Sequence, residues 1–450
     1  AGAGRAVAIA GDLNGDGLAD LVTSSEPLSF VLPGRNTPFP AVIPASDIGA
    51  NQGLGVRIAS QPTGPIESLG GGGDVNGDGI DDLILGAPEE EFAGDEENGG
   101  AYVVFGTTAL DEDVALATLD GDDGFVVRYP FPAFDSRIGE DVDIVGDING
   151  DNIDDLVLGA PYDGLFLYSR GYGHAVFGSD EGFPPQVDLF TNAGDDTFYI
   201  VSNDYLTGQG VSALGDVNGD GIDDFAIGTS RGNGYVVFGK GGPFGEFFAT
   251  FDGVEGFIIE PNGDFPDDIS LDRAGDVNGD GLDDIILSAR IDGFTGAAYV
   301  LYGRPTFDAT VDLSNLSPGA GVALVSPPAC CASLKATPVA GDFDINADGF
   351  ADLLIAGART IPGAGELVEA YVVYGGNALP AQVNLAALDG SDGFTLRTPP
   401  AQALTSVDVD GGGDLNGDGL DDLVLGTVLD FGGAQVARRS FVIFGRSPAK

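Results

Sequence analysis

DVNGDGIDDLILGAP, residues 74–88, places four aspartates within nine positions, Asp74 to Asp82, and sets an apolar run directly behind them. Carboxylates this close repel one another unless a positive charge holds them. The apolar run is short and closes on Gly-Ala-Pro, so the stretch reads as a polar turn feeding a buried strand. Near-copies of the acidic string stand at 12–20, 147–155, 216–224, 276–284, 344–352 and 414–422, seven with the first, and their starts lie 60–73 residues apart. A steady period marks a repeat architecture, in which 450 residues need not divide into separate domains.

Two further signals travel with the acidic string. An apolar run closing on glycine follows it: YVVFG at 102–106, HAVFG at 174–178, YVVFG at 235–239, YVLYG at 299–303, YVVYG at 371–375 and FVIFG at 441–445, with a degenerate FVLPG at 30–34. Then comes GFVVR at 124–128, TFYIV at 197–201, GFIIE at 256–260, GVALV at 321–325 and GFTLR at 393–397, with GVRIAS at 55–60 as the first-unit copy. These runs are rich in Val, Ile, Phe and Tyr and bounded by turn residues, as strands are. Each unit thus offers four strands: one ending at the acidic string, one leaving it, the VVFG run and the GF run.

Seven four-stranded units in series predict an all-β fold, a seven-bladed β-propeller with four-stranded antiparallel blades. It forms a single domain over 1–450, with blades near 1–60, 61–128, 129–201, 202–260, 261–325, 326–397 and 398–450. Only six units have a fourth strand, and five residues follow FVIFG. The last blade is therefore expected to hold three strands, or to borrow one from outside this chain: either the native polypeptide continues past one end, or the ring closes by face packing of blades one and seven alone.

The formal net charge is −53, which argues against nucleic acid as a partner, because phosphate backbones are bound by Lys and Arg. Cations or a locally basic partner suit it better. Hydrophobic residues make up 43% of the chain, enough for a packed core, and no apolar run reaches the ~18 residues of a membrane span. Two adjacent cysteines, Cys330 and Cys331, rule out a disulfide framework; a vicinal bridge and two free thiols both remain open readings. There is no methionine, which fits removal of a leader.

Numbered one to nine, the string carries Asp, Asn, Asp and Asp at positions one, three, five and nine in every copy. Position seven is apolar and offers only its carbonyl. Alternating oxygen side chains plus one carbonyl wrapped about a point form a cage for a hard cation, and the lack of His or Cys favours Ca²⁺ over Zn²⁺. Position six must turn sharply; it is Gly in six copies and Asn152 in the third. The string is not an EF-hand, since position twelve lacks the bidentate Glu. Up to seven structural Ca²⁺ ions are expected. Polar hairpin turns alone would explain one copy but not Asp at three fixed positions in seven.

The acidic hairpin, the LILGAP that follows and the YVVFG closure resemble the FG-GAP repeats of integrin α-subunit propellers and their bacterial relatives, over essentially the whole chain. The resemblance implies calcium in the hairpin between strands one and two. Its ligands would be Asp12, Asn14, Asp16, Leu18 and Asp20 in the first unit, and Asp74, Asn76, Asp78, Ile80 and Asp82 in the second. Asp147, Asn149, Asp151, Ile153 and Asp155 form the third set, and Asp216, Asn218, Asp220, Ile222 and Asp224 the fourth. Asp276, Asn278, Asp280, Leu282 and Asp284 form the fifth, Asp344, Asn346, Asp348, Phe350 and Asp352 the sixth, and Asp414, Asn416, Asp418, Leu420 and Asp422 the seventh. The sequence departs from the pattern: Gly-Ala-Pro stands only at Gly86–Pro88 and Gly159–Pro161, and Ala347 replaces a loop glycine.

Signals for catalysis are thin. The only histidine, His174, occupies a strand position where other units have Tyr102, Tyr235 and Tyr299. The leading expectation is a secreted or cell-surface module that binds a glycan or protein ligand on the loops opposite the calcium hairpins. Two of those loops are aromatic, YPFPAFDSR at 129–137 and PYDGLFLYSRGY at 161–172. The candidate contacts are Tyr129, Phe131, Phe134, Arg137, Tyr162, Phe166, Tyr168, Arg170 and Tyr172, with capping of the propeller's own core as the competing role. A carbohydrate-active enzyme (lyase or glycosidase) on the same scaffold, and a structural spacer in a larger surface protein, are the alternatives.

Overall fold

The computed structural model describes residues 5–446 except 26–27, 50–53, 60–63, 92–97, 111, 130–135, 163–170, 190–196, 202–205, 231, 243, 245–246, 249–250, 262–268, 292–294, 318, 326–337, 402 and 431–435. Cys330 and Cys331 lie outside the described residues. Seven sheets follow one another along the chain, as the seven repeats predict. In blade two, Ser68–Gly73 pairs with Asp82–Ala87, that strand with Gly100–Val104, and that with Gly124–Arg128, all antiparallel. Asp82–Ala87 is buried along its whole length, because neighbouring blades cover both faces of the sheet.

The innermost strands, such as Val7–Ile9, Val142–Ile144, Gly210–Gly215 and Ala403–Gly411, surround a central axis. Each seam between consecutive blades holds its own apolar cluster. The seam of blades seven and one contains Val7, Leu21, Leu415 and Val424. It is tied by Val7 and Ile9 N–H donating to Asp408 and Asp410, at 2.9 and 2.8 Å.

Among the described residues blade seven has three strands, Ala403–Gly411, Leu423–Asp430 and Val436–Ile443. Blades one to five instead gain a fifth strand that the repeat reading does not foresee. It runs parallel to the fourth and comes from the segment between strands three and four of the next blade. Gln186–Asp188 lies along Gly124–Arg128, Thr310–Asp312 along Gly256–Glu260, and Gln382–Asn384 along Gly321–Val325. Blades two to six are thereby each hooked over their predecessor.

Candidate metal hairpins and ligand face

All seven hairpins share one hydrogen-bond pattern. The position-one carboxylate accepts the N–H of positions five and six; in the second hairpin Asp74 takes Asp78 and Gly79 at 3.0 and 2.6 Å. The position-five carboxylate accepts the N–H of position seven, as Asp78 does from Ile80 at 3.0 Å. Position six is left-handed throughout, from Gly419 at φ 81° to Gly281 at φ 88°, with Asn152 at φ 69°. Position four is left-handed as well, and there the sixth hairpin has Ala347 at φ 59°.

The position-nine aspartate has no exposed surface in any copy. It accepts the N–H of the glycine that closes strand three, as Asp82 does from Gly106 at 2.8 Å and Asp422 from Gly445 at 2.8 Å. That bond ties the end of strand three back to the acidic string in every unit, across sequence separations from 14 to 24 residues. Burial pushes these carboxyls up, to about 7 at Asp82 and about 8 at Asp155, Asp224, Asp284 and Asp352; the carboxylates at positions one and five add to the rise.

Position eight carries a role the sequence reading missed. Asp81, Asp154, Asp223, Asp283 and Asp421 each accept the N–H of a position-one aspartate in another blade: Asp12, Asp74, Asp147, Asp216 and Asp344, at 2.6–3.0 Å. The signal was present, since position eight is Asp in five strings and Ala only at Ala19 and Ala351. The hairpins therefore form a connected rim.

The donor set suits a hard cation. Every hairpin offers only oxygen ligands, and carboxylates that already accept N–H groups keep lone pairs for an ion. In six hairpins the Asn amide of position three donates to the position-nine carboxylate, as Asn218 Nδ2 does to Asp224 Oδ1 at 3.3 Å. Turning that amide over would present its oxygen instead. Among the described residues no three His, Cys, Asp or Glu side chains are drawn together at ion-binding spacing, so binding would require these carboxylates to close inward.

At the other end of the inner strands the two aromatic loops meet. Arg137 stacks on the Tyr162 ring with its guanidinium carbon 5.7 Å from the centroid. It also pairs with Glu67, Glu89 and Glu140 at 3.3, 3.6 and 3.1 Å. Arg137 is left-handed at φ 50°, but Leu206 at the same point of the next unit has φ 55°, so the backbone conformation belongs to the repeat. Tyr162 is 36% exposed.

Tyr129 and Tyr172 are buried instead, on either side of His174. Tyr129 Oη lies 2.8 Å from His174 Nε2, and the Tyr172 ring 5.8 Å from the imidazole. Burial lowers the His174 pKa to about 3, so the ring is neutral, a packing role in the strand. Phe131, Phe134, Phe166, Tyr168 and Arg170 lie outside the described residues.

The axis holds a channel of about 660 Å³ lined by Asp141, Asp143, Asp272, Asp408 and Asp410, with Arg5 and Arg273 among its walls. Four of these acids serve the ring. Asp141 and Asp143 accept Val211 and Ala213 N–H at 3.0 and 2.9 Å, as Asp408 and Asp410 accept Val7 and Ile9. Each pair stitches its blade to the next.

A family model described as FG-GAP repeat matches residues 67–104 and 142–177. Integrin alpha-PS3 of Drosophila melanogaster is 27% identical over 168 residues, 37% of this chain and 13% of that protein. Integrin alpha-4 of Xenopus laevis is 28% identical over 164 residues, 36% of this chain and 14% of its own. Integrin alpha-PS5 of Drosophila melanogaster is 31% identical over 158 residues, 35% and 14% of the two chains. The matched stretch thus spans 13–14% of the length of these relatives. Among solved structures, BBS1N in complex with ARL6DN superposes over 97% of this chain and 91% of its own at 13% identity, with a TM-score of 0.44. Among the described residues no helix is long and apolar enough to cross a membrane.

Proposed function

From the premise that this chain is an FG-GAP-repeat, integrin-α-like propeller, we propose that it is a binding module whose ring presents a protein or glycan ligand site on the loops opposite the acidic hairpins. The observation that carries this reading is the meeting of Arg137 and Tyr162. A partly exposed ring and a cation stand together on the blade pair that the repeat model matches. Tyr and Arg dominate binding hot spots because one gives rigid amphipathic area and the other planar hydrogen bonding. Similarity to integrin α subunits supports a protein ligand and an extracellular or surface setting.

Calcium belongs to the same proposal. The oxygen sets of the seven hairpins would hold the ions, the position-seven carbonyl completing each. The ion would neutralise carboxylates that now raise the position-nine pKa. Weak extracellular-type sites, with Kd of about 10⁻⁴–10⁻³ M, would stay filled outside a cell.

The test is binding to arrayed glycans and matrix proteins, with calcium and with chelator. Tyr162→Ala should weaken binding at least fivefold while leaving the thermal midpoint unchanged. A wild-type chain that binds nothing on either array in calcium overturns the reading. The carboxylate-lined channel favours a second reading, a carbohydrate-active enzyme, and polysaccharide cleavage lost on Asp141→Asn would establish it.

A further inference from the structure

Position one supplies the first carboxylate of each acidic hairpin, and the next blade holds that residue in place. In hairpins two, three and four the hold is reciprocal. Asp154, Asp223 and Asp283, at position eight of the following blade, donate their N–H to the carbonyls of Asp74, Asp147 and Asp216 at 3.2, 3.2 and 3.3 Å. Their carboxylates accept the N–H of the same three residues at 2.8, 3.0 and 3.0 Å. Asp81 and Asp421 accept from Asp12 and Asp344 in the same way, at 2.6 and 2.8 Å. Glycine before position one permits the close approach. A Cβ on Gly11, Gly146 or Gly215 would lie 2.2, 2.3 or 2.1 Å from an oxygen of Asp81, Asp223 or Asp283.

Hairpins five and seven keep only half of this clamp. Position eight of the blade that follows them is Ala351 and Ala19. Both alanines still donate their N–H to the carbonyls of Asp276 and Asp414, at 3.2 Å each. Among the described residues no side chain accepts the N–H of Asp276 or Asp414. The two places differ in charge. A Cβ on Gly275 would lie 2.5 Å from Asp342 Oδ1, so a carboxylate stands there, but its Oδ2 pairs with Arg273 at 3.0 Å. A Cβ on Gly413 would meet only apolar carbons, Ala19 Cβ at 2.6 Å and Ile9 Cγ2 at 3.3 Å. Hairpin seven has neither the acceptor nor the charge.

Because the backbone bond is the same at Asp74, Asp147, Asp276 and Asp414, the fold itself isolates what the carboxylate adds. The clamped residue shapes its own loop: Asp147 accepts the N–H of Asp151 and Asn152 at 3.0 and 2.7 Å. Asp414 does the same for Asp418 and Gly419 at 3.1 and 2.6 Å, but without a side-chain tether to blade one. A partner behind a metal ligand fixes its orientation and raises affinity for the ion. The hairpins also keep acceptors for a ligand. Asn346, at position three of the sixth, is 3% exposed, and its Oδ1 has no partner among the described residues.

Resting on the calcium reading above, we propose that Asp81, Asp154, Asp223, Asp283 and Asp421 are positioning residues for Ca²⁺ in the hairpin of the blade before them. Hairpins five and seven, which lack such a residue, bind Ca²⁺ most weakly, and the ring fills in two stages.

The full chain is titrated with Ca²⁺ while amide exchange is followed separately in each acidic string. Half-protection at 276–284 and 414–422 should need about tenfold more Ca²⁺ than at the other strings. Ala19→Asp should tighten 414–422 by about tenfold and leave 276–284 unchanged. Ala19→Asn, whose amide oxygen accepts the same N–H without a charge, should recover part of that gain. Asp223→Ala should weaken 147–155 alone, and its thermal midpoint in chelator reports any structural cost separately. The proposal is overturned if all seven strings fill at one concentration, if the Asp223→Ala effect spreads evenly around the ring, or if Ala19→Asp leaves 414–422 no tighter. A gain with Ala19→Asp and none with Ala19→Asn assigns the effect to charge and overturns the positioning role. No Ca²⁺-dependent protection in any string at about 10 mM, above the weakest extracellular Kd range, overturns the calcium reading itself and the proposal with it.

Discussion

Ala347 stands where six other hairpins have glycine, and its φ of 59° puts a Cβ into the left-handed region. Ala347→Gly should therefore raise stability by about 0.5–1 kcal/mol in a denaturant titration, the released strain exceeding the added freedom of the unfolded chain. The channel aspartates act on pH dependence. Burial raises Asp141 to about 8, Asp143 and Asp408 to about 6 and Asp410 to about 7, and Asp272 rises too. The facing cations are Arg5 and Arg273, and Glu67, Glu140 and Asp342 add negative charge. A carboxyl raised on folding stabilises most below its unfolded pKa near 3.8 and loses that contribution as pH climbs through the folded value. Stability without divalent ions should accordingly fall from about pH 4 to about pH 8. Asp141→Asn with Asp410→Asn should flatten the slope, because an amide oxygen still accepts the Val211 and Ile9 N–H. An unchanged slope would remove the channel from the account.

At the scale of the element, the hairpin is held by more than its proposed ion. Asp154 accepts Asp74 N–H from the neighbouring blade at 2.8 Å, so Asp154→Ala should cost about 1–2 kcal/mol even in chelator. An effect seen only with calcium would assign Asp154 to the ion instead. The strands and the hairpins were legible in the sequence because turn residues and β-rich runs repeat in phase, and the three-stranded seventh blade was legible as a missing GF run. The fifth strands were not, although PQVDL at 185–189 and ATVDL at 309–313 recur, because two or three residues carry no periodicity of their own. Tyr129 and Tyr172 read as loop aromatics because they sit at strand ends, where burial depends on the neighbour, here His174. Position eight was hidden by its surroundings: one more aspartate in an acidic string does not announce that its partner is in another blade.

For the whole molecule, a net charge of −53 makes the ring self-repelling, and cations should matter twice, by screening and by binding. If the hairpins bind Ca²⁺ only when folded, each adds about 1.4 kcal/mol at tenfold excess over its Kd. Chelation should then lower the thermal midpoint far more than sodium chloride of equal ionic strength can restore. The ring's weakest join follows from its strand count. The seam of blades seven and one keeps the hairpin bonds of other seams, such as Ala19 N–H to the Asp414 carbonyl at 3.2 Å and Arg35 N–H to the Leu415 carbonyl at 2.9 Å. It also has a Thr23–Ser440 hydroxyl contact at 3.0 Å. On its outer side Val442 is only half-buried, whereas Val236, at the same point of blade four, is 0% exposed. Less apolar area is removed from water there, so local opening costs least at that seam. Native-state amide exchange should begin in Val436–Ile443 and Leu28–Leu32 and reach blades three and four last. Uniform protection around the ring would mean that the bonds on the hairpin side alone set the strength of a seam, and that the outer strands add little to closure.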